Sequence, residues 1–107
     1  MEITTEKLKE KIKNGDKLVV DFHGLWCGPC KIMKPMFEEV SKNLIIQNSK
    51  VEFYTFDIDK DREFVMSMGI RGVPTIKAFS DGTEIFSKSG IMMENELNNL
   101  ANSVLYG

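Results

Sequence analysis

The stretch Lys17–Lys31, KLVVDFHGLWCGPCK, decides the fold. It opens as a nearly continuous apolar run, Lys17 to Phe22, of the kind expected for a strand covered on both faces. It ends on the only two cysteines of the 107-residue chain, Cys27 and Cys30, with Gly28-Pro29 between them and Trp26 in front. A helix is predicted from about residue 29, because Met33, Met36, Phe37, Val40 and Leu44 follow at helical spacing. Pro29 suits its first turn, where a missing backbone donor costs nothing. Pro35 falls inside the helix and predicts a kink, since it removes one hydrogen bond. The reading is a buried strand that runs into a helix whose first turn carries a cysteine pair.

Outward from that unit the pattern alternates. Leu8 and Ile12 mark one face of a first helix closed by Asn14-Gly15. Val51 to Ile58 reads as a second buried strand, and Phe64, Val65 and Met68 as one face of a short helix. Thr75 to Phe79 and Glu84 to Lys88 flank Ser80-Asp81-Gly82-Thr83, a hairpin signal. Leu97, Leu100, Ala101, Val104 and Leu105 give a last amphipathic helix. Glu2 to Thr4 offers a short additional edge strand. The expected class is α/β, a mixed sheet with helices on both faces, in a single domain spanning residues 1–107.

The bulk properties narrow the partners. A formal charge of −2 gives no electrostatic reason to expect nucleic acid or an anionic membrane surface. Lys7, Lys9, Lys11 and Lys13 alternate with Glu10 and apolar residues, as on a solvated helix face. The start MEITTEKLKEK has no apolar core of a secretory signal, and no stretch approaches the roughly 18 to 20 apolar residues of a membrane span. A cytoplasmic setting is the expectation, and cysteines there are usually kept reduced.

Three readings of the cysteine pair compete. A structural clip closing so small a loop contributes only about 2 kcal/mol in the loop-entropy model. A zinc site wants four ligands, and the pair supplies two with His23 the only histidine. A reactive dithiol fits better. At a helix N-terminus Cys27 faces unpaired N–H groups that favour its thiolate, and Cys30 lies about one turn on, placed to attack a mixed disulfide on Cys27. On this reading the first sulfur is exposed and the second shielded.

WCGPCK, then Pro35, then GIRGVPT at 69–75, then Asp81-Gly82 and a late Gly90 resemble the thioredoxin family over nearly the whole chain. The resemblance implies the thioredoxin fold, a central mixed sheet of four to five strands. It implies a thiol-disulfide oxidoreductase that reduces protein disulfides, with Cys27 attacking and Cys30 resolving. It needs neither cofactor nor metal, acts on disulfide-containing substrate proteins, is recharged by a thioredoxin reductase and works as a monomer. Pro74 matches the family's cis-proline, whose role is to expose the backbone of Val73 for strand-like pairing with substrate. Trp26, Gly28, Pro29, Ile58, Gly72, Val73, Gly90 and Ile91 match the rim that receives substrate, with ordinary core as the alternative for Ile58 and Ile91.

Asp21 interrupts the apolar strand, and a desolvated carboxylate has a raised pKa and readily carries protons. Its other reading is a strand-end aspartate bonded to nearby backbone; the family places its proton acceptor here. Three departures from the family pattern stand out. The position of a frequent lysine near this aspartate is Thr55, the place of a frequent aromatic is His23, and the N-cap of the last helix is Met93, which accepts no capping bond as Ser or Thr would. The segment before the first helix is also shorter than usual, which leaves the edge strand open. Asp21 and His23 are two apart on a strand and share a face; His23 either influences the site electrostatically or only fills the aromatic slot. Met92 and Met93 read as core packing or a lightly exposed helix start. Two rival functions are a disulfide oxidase or isomerase, against which Gly28-Pro29 argues, and a binding module that uses the fold without its redox chemistry.

Overall fold

In the computed structural model, which describes residues 1–47 and 49–107, four helices and four strands alternate as the pattern implies. Helix α1 spans Thr5–Lys13, with the Thr4 hydroxyl accepting from the Lys7 N–H at 3.2 Å. Strand β1 is Leu18–His23 and helix α2 is Gly28–Ile46. Strand β2, Glu52–Asp57, leads through a 3₁₀ turn at Ile58–Lys60 into α3, Arg62–Ser67. Strands β3, Thr75–Ser80, and β4, Thr83–Ser89, form the hairpin, and α4 spans Glu94–Tyr106. Asp81 and Gly82 both have positive φ, 55° and 81°, the backbone of a type I′ turn.

The sheet has the order β2-β1-β3-β4, with β1 parallel to β2 and antiparallel to β3. Two cores lie on its two faces. Leu18, Val20 and Phe22 pack with Leu8, Phe56, Val65, Ile70 and Phe79 on the side of α1 and α3. Val19 packs with Met33, Phe37, Val40, Leu97, Leu100 and Val104 on the side of α2 and α4. Strand alternation therefore puts Asp21 and His23 on the α2 face, as their spacing predicts.

The structure differs from the sequence expectation in local detail. The edge strand at Glu2–Thr4 is reduced to a single bridge between Glu2 and Thr55, held by the Ile3 N–H to the Thr55 carbonyl at 2.9 Å. Helix α2 begins at Gly28, one residue before Pro29, and its span includes Pro35. Pro35 is exposed on the helix surface. The 3₁₀ turn was not foreseen; Asp57 caps it through the Asp59 N–H at 3.0 Å. The side chain of Leu44, expected on the apolar face of α2, lies outside the described residues.

Candidate functional site

Strand β1, paired on both sides, delivers the chain to its own C-terminal end, and the turn Gly24–Trp26 hands it to α2. Cys27 immediately precedes the first helical residue, and its carbonyl accepts the Lys31 N–H at 3.3 Å. The two cysteines are bridged as a disulfide with their Cα atoms 5.3 Å apart. The Cys30 N–H donates to the Cys27 sulfur at 3.2 Å, in the manner of a helix-capping bond. The electrostatic part of the expectation thus has a visible donor.

The exposure part does not. Cys27 is 4% exposed and Cys30 5%, so neither sulfur stands out to solvent in the oxidised state. Cys27 is covered because its sulfur sits 3.7 Å from the carbonyl oxygen of Val73. What separates the cysteines is their surroundings: exposed Trp26, Gly28 and Pro29 border the site, while Cys30 lines a cleft beneath.

The Val73–Pro74 peptide is cis, and Pro74 is buried at the start of β3. The Gly90 N–H donates to the Pro74 carbonyl at 2.8 Å, which ties the end of β4 to this loop. Trp26 is 63% exposed, and its indole N–H donates to Asp59 at 2.8 Å. Beside it an apolar groove of about 280 Å³ is lined by Trp26, Ile58, Val65, Ile70, Gly72 and Val73. Ile58 serves both purposes, since it also packs against the α1/α3 core. Ile91 is half-buried against the α2/α4 core and does not reach that groove. Met92 is buried, with its N–H 3.4 Å from the Met33 sulfur, and Met93 is exposed at the start of α4. The Met93 side chain offers no cap; its backbone N–H donates to Glu96 at 3.1 Å instead.

Asp21 is 2% exposed, and one of its carboxylate oxygens has no hydrogen-bond partner. The alternative of a strand-end aspartate satisfied by backbone does not describe that oxygen. Burial pushes its pKa up from 3.8 to about 6, with His23 pulling it down and Glu2 pushing it up as smaller effects. Asp21 and Cys30 line the same cleft, about 550 Å³, together with Glu2, His23, Lys31, Lys34 and Thr55. Thr55 is the register partner of Asp21 across β1 and β2, and its hydroxyl donates to Glu2 at 2.6 Å rather than to Asp21. His23 Nε2 lies 3.0 Å from Glu2 Oε1. Among the described residues no group of three His, Cys, Asp or Glu side chains is placed to hold a metal ion.

Sequence reasoning missed three contributors. Asp59 anchors Trp26, Glu2 pairs with His23, and Gly24 leaves room for the indole, since a Cβ there would meet the ring at 2.7 Å. None carries a local signal: each acts on a residue fixed by the three-dimensional register or by the turn.

The thioredoxin family model matches residues 1–103. The chain is 34% identical over 96 residues to a thioredoxin of Rickettsia bellii, covering 89% of each. It is 36% identical over 94 residues to a thioredoxin of Mycoplasmoides gallisepticum, covering 88% of this chain and 90% of that one. Among solved structures, the thioredoxin of Plasmodium falciparum superposes with a TM-score of 0.82 at 28% identity, over 96% of this chain and 98% of that one. The chain belongs to the thioredoxin family and is a thiol-disulfide oxidoreductase, a protein-disulfide reductase.

Proposed function

We propose that Cys27 and Cys30 divide the reaction between them, with Cys27 as nucleophile. The observation that carries this is the Cys30 N–H on the Cys27 sulfur at the start of α2, a fixed donor that favours the Cys27 thiolate once the bridge is reduced. That thiolate attacks a substrate disulfide; one substrate sulfur leaves as thiolate and the other is held in a mixed disulfide. Cys30 then loses its proton to the Asp21 carboxylate and attacks Cys27. The mixed disulfide breaks, the second substrate thiolate leaves, and the Cys27–Cys30 bridge forms. Two electrons pass to the substrate, and a reductase of the thioredoxin reductase type returns them to the pair.

Trp26, Gly28, Pro29, Val73, Pro74, Gly90 and Ile91 form the proposed substrate rim, with an extended segment pairing to the backbone at Val73. The exposure of Trp26, Gly28, Pro29 and Gly90 around a covered sulfur supports this use. We further propose a single domain over residues 1–107, acting as a monomer in the cytoplasm. Among the described residues no helix is long and apolar enough to cross a membrane.

The test is the Cys27→Ser, Cys30→Ser double variant together with the reduction potential of the native pair. Loss of insulin-disulfide reduction in the variant and a potential more reducing than about −230 mV are expected. A potential near about −180 mV, the range of disulfide isomerases, argues for the oxidising rival. An unchanged biological activity in the double variant argues for a binding module.

A further inference from the structure

Asp21 is buried, and a thiol gives its proton to a carboxylate uphill, so the attack of Cys30 goes forward as that proton is drained from Asp21 towards solvent. The cleft that Asp21 and Cys30 share is also lined by His23 and Glu2. His23 follows Asp21 by two positions on β1, which puts the two side chains on one face, about 7 Å apart along the strand. Its Nε2 lies 3.0 Å from Glu2 Oε1. Glu2 in turn accepts from the Thr55 hydroxyl at 2.6 Å and from the Asp57 N–H. Burial works against the Glu2 carboxylate, yet the bonds from Thr55, His23 and the Asp57 N–H hold it below the usual carboxylate range. An ionised carboxylate only accepts, so the proton of the neutral imidazole sits on Nε2 and leaves Nδ1 as the basic nitrogen.

We propose that His23, oriented by Glu2, relays the proton between Asp21 and solvent during the resolving step, so that the N-terminal segment is part of the redox site. The inference rests on the reading of Asp21 as the acceptor for Cys30. The balance is simple. Cys30 gives its proton to the Asp21 carboxylate, the protonated Asp21 passes it through water in the shared cleft to neutral His23, and Cys30 attacks Cys27 and expels the substrate thiolate. The imidazolium forms beside ionised Glu2 and then releases the proton to water, and Asp21 is again a carboxylate.

The other charged or titratable groups around Asp21 do not offer the same exit. From α2 the cleft is lined by Lys31, Lys34, Glu38 and Lys42, whose side chains are exposed on the helix surface, and by Cys30 itself. From β2 the opposite residue is Thr55, with Asp57 opposite His23, and from β3 the register partner is Ile76. Met1 also lines the cleft. Of these groups only His23 combines the face of Asp21 with a fixed tautomer and a ring nitrogen that can both take up and give up a proton.

The step is isolated by loading Cys27 with thionitrobenzoate as a mixed disulfide and following its release, which reports the attack of Cys30 directly. His23→Gln is expected to slow release about tenfold near pH 7, and added imidazole to restore most of the rate. Glu2→Gln is expected to slow it about threefold, because the tautomer is no longer fixed, and to shift the pH profile of release. A native rate in His23→Gln, or a slow rate that imidazole does not restore, overturns the relay. Asp21→Asn measured alongside separates the two claims. If it releases at the native rate, the acceptor role falls and the relay with it; if it is slow while His23→Gln is native, only the relay falls.

Discussion

The indole N–H of Trp26 and the guanidinium of Arg62 share one carboxylate: Trp26 donates to Asp59 Oδ2 at 2.8 Å and Arg62 to Oδ1 at 2.6 Å. On its other side the ring lies against Gly24, where a Cβ would meet it at 2.7 Å. An exposed tryptophan is thus fixed over the site by a tether and a missing side chain. Removing either frees the ring without touching the cysteines. Asp59→Ala is expected to lower kcat/KM for insulin about threefold, with little change in melting temperature because the pair is exposed. Gly24→Ala, which forces the ring to move, is expected to cost more. Reduction of the small disulfide dithionitrobenzoate serves as the control and stays near the native rate in both. Equal losses on both substrates would place Trp26 in the chemistry instead of in recognition.

Both cysteines are buried to nearly the same extent in the disulfide state, so charge stabilisation is expected to add to their different surroundings in setting their reactivity after reduction. The Cys30 N–H and the start of α2 point at the Cys27 sulfur, and no equivalent donor was found for Cys30 among the described residues. Iodoacetamide labelling of the reduced protein, followed by peptide mapping, is expected to modify Cys27 at least about tenfold faster than Cys30 near pH 7. Cys30→Ser is expected to accumulate mixed disulfides with substrates, since the resolving thiol is gone. Faster modification of Cys30 would reverse the assignment.

The fold was legible because its signals are local. The hairpin signal Ser80-Asp81-Gly82-Thr83 located β3 and β4, and the 3.6-residue spacing of apolar residues marked α2 and α4. The position of Asp21 inside an apolar run marked it as buried. The remainder of the site rests on contacts between distant positions, and spacing does not report those. Glu2 meets His23 and Thr55 only because the N-terminal segment bridges β2 in parallel. Asp59 reaches Trp26 only because the 3₁₀ turn ends β2 beside the start of α2. Cys27 is covered by Val73, a neighbour 46 residues away, which is why its expected exposure was wrong.

Gly90 has φ of +95° while its N–H is held by the Pro74 carbonyl at 2.8 Å. A Cβ there would touch nothing within 4 Å, so crowding does not require the glycine; backbone conformation does. Gly90→Ala is expected to destabilise by about 1 to 2 kcal/mol in urea titration. The strain is relieved by moving the backbone that ties β4 to the Val73–Pro74 loop, so a rise in KM for protein substrates should accompany it. Stability equal to native would show that the loop adapts without cost.

Asp21 carries a signed prediction for stability. Its pKa is 3.8 in its unperturbed state and about 6 in the folded protein. The folded state therefore binds the proton more tightly, and ionisation opposes folding. The penalty is absent below about pH 4, grows as pH rises through the interval, and is complete above about pH 6. At 1.36 kcal/mol per pH unit it amounts to about 3 kcal/mol. Asp21→Asn removes the charge and keeps the shape, so the oxidised variant is expected to be more stable than native by about 2 to 3 kcal/mol at pH 7. The difference should shrink as pH falls from 6 to 4, where native Asp21 is itself neutral in both states. Urea titrations of both proteins at several pH values across that range provide the measurement. A gain that is the same at pH 4 and pH 7 would trace the stabilisation to packing, and a variant less stable at pH 7 would mean that the buried carboxylate is compensated by its surroundings.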